Sequence, residues 1–241
     1  MLTATIDRLR TAALDADDAG GYFPAMYARV TARVEAAAVA VDDVVERERM
    51  EHFARKFAAW YLEPIQGERP MPGSWRAAVD VAGDGDLLIV QQLLLGINAH
   101  VNHDLPQVVV ELAGETGDLA ALRPGFDAIN DLLAATYPEL VHDVGRVAWW
   151  MAALSARDGG RAFNFSLHRA RDVAWMNAER LFAMPVDERP AAVAELDDKV
   201  RVLAYLVTRP TWPVSWLVPL LRRLESSDPR EVIAALLGPL R

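Results

Sequence analysis

The feature that most constrains this chain is its hydrophobic period. Apolar residues recur at three- and four-residue intervals along nearly the whole sequence, and the two-residue alternation of a half-buried strand is almost absent. Leu2, Ile6, Leu9 and Leu14 mark a first helix over about 2–16, closed by Asp17-Asp18-Ala19-Gly20-Gly21. Pro24 opens a second, over about 24–40, with Met26, Val30, Val34 and Ala37 as its apolar face. Asp42 and Asp43 are N-cap candidates for a third that reaches about Leu62 and turns Met50, Phe53, Phe57, Trp60 and Tyr61 inward. The four prolines and glycines from Pro64 to Pro72 read as a loop, and Ser74 as the cap of a short helix that begins at Trp75.

After Gly83-Asp84-Gly85-Asp86, the pattern predicts a long apolar helix over about Leu87–His103. Pro106 interrupts it, and one or two more turns follow over Val108–Leu112. Gly114–Gly125 reads as loop-rich. Further helices are predicted over about 126–135, 138–156, 161–183, 187–208, 214–225 and 230–237. No composition shift marks a boundary and no repeat period stands out. The expectation is an all-α, single-domain, multi-helix bundle of about nine to eleven helices over residues 1–241. With 52% hydrophobic residues in 241, such a chain buries a sizeable core without staples.

Charge and residue types then exclude whole classes of function. The 25 basic residues against 34 acidic ones give a net charge of -9, and no basic stripe is interleaved with aromatics. A nucleic-acid partner is not expected, because phosphate neutralisation supplies most of such affinity. With no cysteine, disulfides, thiolate chemistry and cysteine-based zinc sites are out. Asp7 and Arg8 stand where a signal peptide needs its apolar stretch, and the longest apolar run, Val147–Leu154, is too short to span a membrane. A cytoplasmic protein that engages no membrane is the expectation. Ser74 and Ser166 lack a nucleophile-elbow setting. Chemistry therefore rests on five histidines and a few carboxylates.

The most informative stretch is Gly96-Ile97-Asn98-Ala99-His100-Val101-Asn102-His103-Asp104-Leu105-Pro106. Residues three and four apart share a helix face, so His100 stands beside His103 and Asp104. Gly96 lies one turn earlier. A glycine inside an apolar helix costs about 1 kcal/mol against alanine, so a neighbouring helix or a ligand must approach there. Imidazole and carboxylate at i and i+4 suit a divalent cation, or a histidine oriented for proton transfer. The pair recurs at His168 and Asp172, with Glu179 seven residues further on near the same face. Two such pairs on two helices are how a bundle builds an inward-facing metal site. The bland alternatives differ between the pairs. Arg169 and Arg171 flank His168–Asp172 and suggest a solvated face. His100–Asp104 has apolar flanks, where Asn98, Asn102 and Gln92 would complete an internal network, or Asp104 would cap the helix entered at Leu105. His52, beside Arg55 and Lys56, reads as surface. His142-Asp143 reads as helix surface or a ligand pair, Asp127 and Asn130 as helix-end partners or a site carboxylate, and the tryptophans mostly as core.

The Gly96–Pro106 stretch resembles the signature of a bacterial family of unknown function, written G-x-N-A-H-x-N-H-D-L. Met26–Thr31 and the Phe53–Tyr61 helix are similar to that family too, and its members' length implies a likeness over most of the chain. The resemblance implies architecture rather than an activity. Gly-x3-His-x3-Asp-Leu is also similar to a metal-binding helix of zinc-dependent phospholipase C and related nucleases, all-α proteins with metal ions between helices. His100 and Asp104 match that helix, and His168–Asp172 resembles its second pair. Met1-Leu2 stands where those enzymes carry a ligating Trp, and five histidines are too few for a three-zinc site.

Two functions follow as expectations. The first is a divalent-metal-dependent hydrolase or lyase, with zinc the expected cofactor, held by His100, Asp104 and His168, while His103, Asp172 and Glu179 act as acid and base on a small-molecule substrate. The second is a non-catalytic helical binding protein for a small apolar ligand, in which the His/Asp cluster is a hydrogen-bond network that fixes helix register. Solvent access separates them: a polar cavity open to water favours the enzyme, and a sealed, paired cluster the binder. Neither substrate identity nor oligomeric state is written in the sequence.

Overall fold

A computed structural model describes residues 1–158, 161–212 and 214–238. In chain order the helices are α1 (Thr3–Leu14), α2 (Tyr22–Val39), α3 (Val44–Ile65), α4 (Gly73–Val79), α5 (Ile89–Asn98), α6 (Leu105–Thr116), α7 (Arg123–Val144), α8 (Trp149–Asp158), α9 (Arg161–Ala183), α10 (Arg189–Thr208), α11 (Val214–Arg222) and α12 (Pro229–Leu237). A π turn, Ala99–Asp104, joins α5 and α6 into one continuous rod, which leaves eleven helices and no strand among the described residues. The all-α bundle expected from the period is the fold observed.

Local chemistry sets the helix ends. Asp43 caps α3 by accepting from the amides of Val45 (2.9 Å) and Glu46 (3.4 Å), and Asp228 caps α12 through Arg230 N (2.9 Å). Gly117 ends α6 at φ 73°, the left-handed conformation that glycine adopts without steric cost. Three boundaries differ from the sequence expectation. Pro106 does not interrupt its helix but sits just past the π turn, as the second residue of α6. The 138–156 segment is two helices, because the chain breaks between Val144 and Trp149 and the preceding helix runs through Pro138. Ser74 lies inside α4, and the cap comes from another helix: Asp197 of α10 accepts from Gly73 N (2.9 Å) and Ser74 N (2.8 Å).

The α5–π–α6 rod runs through the middle of the bundle, with α2, α3, α4, α9 and α10 packed around it. Beside the π turn stands a nest of rings. Phe23 and Tyr27 come from α2, Phe57 and Tyr61 from α3 and Trp75 from α4, with ring centroids 4.9–6.3 Å apart in tilted or edge-on pairs. Gly96 explains its own presence: a Cβ there would lie 2.5 Å from the Phe23 ring, so the missing side chain lets α2 seat Phe23 against the rod. Trp60 of the expected inward face is only half-buried; its Nε1 donates to Glu111 (2.9 Å). Trp149, expected in the core, is 59% exposed.

Candidate functional site

The site is built by the π turn. Such a turn sets successive side chains closer in angle than an α turn does, and single π turns recur at functional positions. Asp104, with no exposed surface, accepts three hydrogen bonds: from His103 Nδ1 (2.7 Å) and His100 Nδ1 (3.1 Å) on its own turn, and from Trp75 Nε1 (2.8 Å) on α4. A carboxylate only accepts, so both histidines present Nδ1–H to it and carry their lone pairs on Nε2. The Gln107 amide donates to His103 Nε2 (3.2 Å) and to the His103 carbonyl (2.9 Å). Asn102 donates to Asn98 Oδ1 (2.8 Å), and Asn98 donates to the Val200 carbonyl of α10 (2.9 Å). His100, His103 and Asp104 are all buried, so this is an internal network.

His100 is the exception inside it. Its ring stacks on Phe57 at 3.6 Å and 8°, with the Tyr27 ring edge-on at 4.6 Å. Burial among these rings pushes its pKa below the usual histidine value, although the Asp104 carboxylate pulls the other way. Its Nε2 is buried and has no hydrogen-bond partner. The His100 ring forms part of the wall of a cavity of about 110 Å³ lined by α2, α3, the rod, α7 and α9. The walls are almost wholly apolar: Phe23, Met26, Tyr27, Phe53, Phe57 and Ile129 among others, with the half-buried Val30, Leu133, Leu140 and Leu167 completing them.

The sequence-predicted set divides in two. His100, His103 and Asp104 are brought together. His168 and Asp172 are half-buried on α9 and Glu179 is exposed there. Asp172 lies 3.8 Å from Arg123, and Glu179 accepts from Trp175 Nε1 (2.7 Å). Among the described residues, no three or more His, Asp or Glu side chains are grouped to hold a metal ion. The π turn itself does not offer the donor set of a catalytic zinc, because both Asp104 oxygens are already engaged and His100 has one nitrogen left. His52 pairs with Glu115 (2.7 Å) and His142 with Asp143 (3.1 Å), both at the surface. Asp127 pairs with Arg123 (2.9 Å); the side chain of Asn130 lies outside the described residues.

Sequence reasoning missed one residue. Arg171, read as part of a solvated face, is 1% exposed and lines the cavity. Its Nη2 donates to the Phe126 carbonyl (3.3 Å), its guanidinium lies 4.4 Å from the Phe126 ring, and its Nε has no partner. The signal in the sequence was its place four residues after Leu167, on the same face of α9.

Fold and site together define a helical-bundle protein with a buried His–Asp–His network beside an apolar cavity. The chain belongs to the family of unknown function DUF5995, whose model matches residues 2–210. No curated protein and no solved structure matches it, and nothing in these comparisons extends the likeness to phospholipase C.

Proposed function

We propose that this chain is a non-catalytic binding protein for a small apolar ligand, housed in the cavity between α2, α3, α7 and α9. The observation that supports it is the pairing of an apolar, ring-lined space with a carboxylate whose every hydrogen bond is made inside the protein. Catalysis on water or a metal needs the opposite: polar groups held open to solvent or substrate. The cavity is somewhat smaller than the roughly 150 Å³ apolar cavity known to admit benzene, so the apolar body it takes is of about that size. Asp104 and its partners serve to hold the π turn in register with α4 and α10.

The test is calorimetry with hexan-1-ol and benzyl alcohol, on wild type and on Ala54→Leu, which adds bulk to the cavity wall. Saturable one-to-one binding that Ala54→Leu abolishes is the expected result. No binding of either alcohol overturns the reading. Stoichiometric zinc that raises Tm and is lost in His100→Ala would favour a metal enzyme instead.

A further inference from the structure

A buried cation is costly unless an anion accompanies it. Among the described residues no carboxylate lies within ion-pair distance of its guanidinium. The acidic groups of this part of the bundle are otherwise engaged. Asp127, half-exposed, is held by Arg123 at 2.9 Å. Tyr27 shares the cavity wall, but burial raises its phenol well above the usual tyrosine value, so it stays neutral and supplies no charge. Asp104 is taken by two histidines and Trp75. Burial drives the Arg171 pKa down to about 10, which leaves it charged at neutral pH.

Two unsatisfied polar atoms therefore belong to residues on one apolar wall: Arg171 Nε–H, a donor that lacks an acceptor, and His100 Nε2, whose lone pair lacks a donor. Leaving either buried and unpaired carries a full desolvation penalty. A single ligand group relieves both if it brings a negative charge, an acceptor oxygen for Arg171 Nε–H and a second acceptor oxygen, with one proton taken up from solvent so that His100 Nε2 becomes the donor. A carboxyl group does this, and its planar pair of oxygens matches a guanidinium edge. The rest of the wall is hydrocarbon and ring, so the body attached to that carboxyl is apolar.

We infer that the ligand is a small hydrophobic monocarboxylate, with its head between Arg171 and His100 Nε2 and its hydrocarbon body among Phe23, Phe53, Phe57 and the aliphatic residues of α7. This rests on the cavity-binding reading above and names its ligand class. An inorganic anion would meet Arg171 but leave the apolar wall unfilled. A neutral lipid or alcohol would fill the wall but leave the cation uncompensated.

The experiment compares four probes by calorimetry at one pH: hexanoate, hexan-1-ol, n-hexylamine and inorganic phosphate. Wild type should bind hexanoate at least tenfold more tightly than hexan-1-ol, and hexylamine and phosphate should not bind. In Arg171→Met the acid preference should vanish while hexan-1-ol binding persists. Because that variant removes an uncompensated buried charge, its ligand-free Tm should equal or exceed that of wild type. Hexanoate should raise the wild-type Tm and leave that of Arg171→Met unmoved. If hexan-1-ol binds as well as hexanoate in wild type, the carboxylate inference fails and the apolar-binding reading stands. If neither binds, both fail. Phosphate binding as tight as hexanoate would also overturn the inference. Should Arg171→Met not fold, the wild-type ratio alone decides.

Discussion

At the scale of single residues, two positions carry measurable consequences. Gly96 is fixed by a close approach. Ala at that site places a methyl carbon 2.5 Å from the Phe23 ring and 2.8 Å from its Cβ, and Phe23 is itself wedged among Tyr27, Tyr61, Trp75 and His100. The better helix propensity of alanine is worth at most about 1 kcal/mol, while overpacking a core typically costs about 1–3 kcal/mol. Gly96→Ala should therefore lower stability in chemical denaturation, and an unchanged or raised midpoint would contradict the packing described. His100 makes a prediction in pH. Its folded-state pKa lies below the unfolded one, so the unfolded chain binds the extra proton first as pH falls. The neutral, buried imidazole thus contributes stability above about pH 6.5, the ordinary histidine value. That contribution drains away as pH drops from there toward the folded pKa. His100→Asn should flatten this part of the Tm–pH curve. A wild-type curve level between pH 7 and 5 would mean that the ring is not held neutral by burial.

At the scale of elements, the sequence told the rods and concealed the joints. The period drew α2, α3 and α9 closely, and the i, i+4 relation put His100 beside Asp104, because both are local properties of a helix. What was not legible came from elsewhere in the chain. Trp75 reaches Asp104 from α4, and Phe57 stacks on His100 from α3. Arg171 looked like surface because charge usually is, and only the packing of α6, the π turn and α7 against α9 buries it. The same holds for helix ends: α4 is capped not by its own Ser74 but by Asp197, more than a hundred residues away on α10. Asp197→Ala removes the acceptor for two backbone amides and should cost about 1–2 kcal/mol, the upper part of the range for lost N-caps. Asp197→Asn keeps one oxygen and should cost less. Equal losses for the two variants would point to the charge, 3.8 Å from His103 Nε2, rather than to the cap.

At the scale of the whole molecule, the apolar residues divide unevenly between interior and surface. The cavity draws its walls from α2, α3, α7, α9 and the central rod, and no residue of α10 or α11 lines it. Those two helices instead leave large side chains in solvent: Val202, Leu203, Tyr205 and Leu206 on α10, then Trp212, and Trp216 and Leu220 on α11. Trp212 is 81% exposed and Trp216 72%, so neither buries enough area within the chain to stabilise it through the hydrophobic effect. Both also lie beyond residue 210, where the family match ends. Replacing the pair, Trp212→Ser with Trp216→Ser, should shift unfolding free energy by no more than about 0.5 kcal/mol, as for surface positions without special partners. Binding of hexan-1-ol should be unchanged, since the cavity lies among other helices. The double variant should also stain less with a hydrophobic dye, because contiguous exposed apolar side chains are what such dyes report. A large loss of stability would show that these tryptophans pack against the body of the bundle. Loss of alcohol binding with stability intact would show that α11 reaches the ligand.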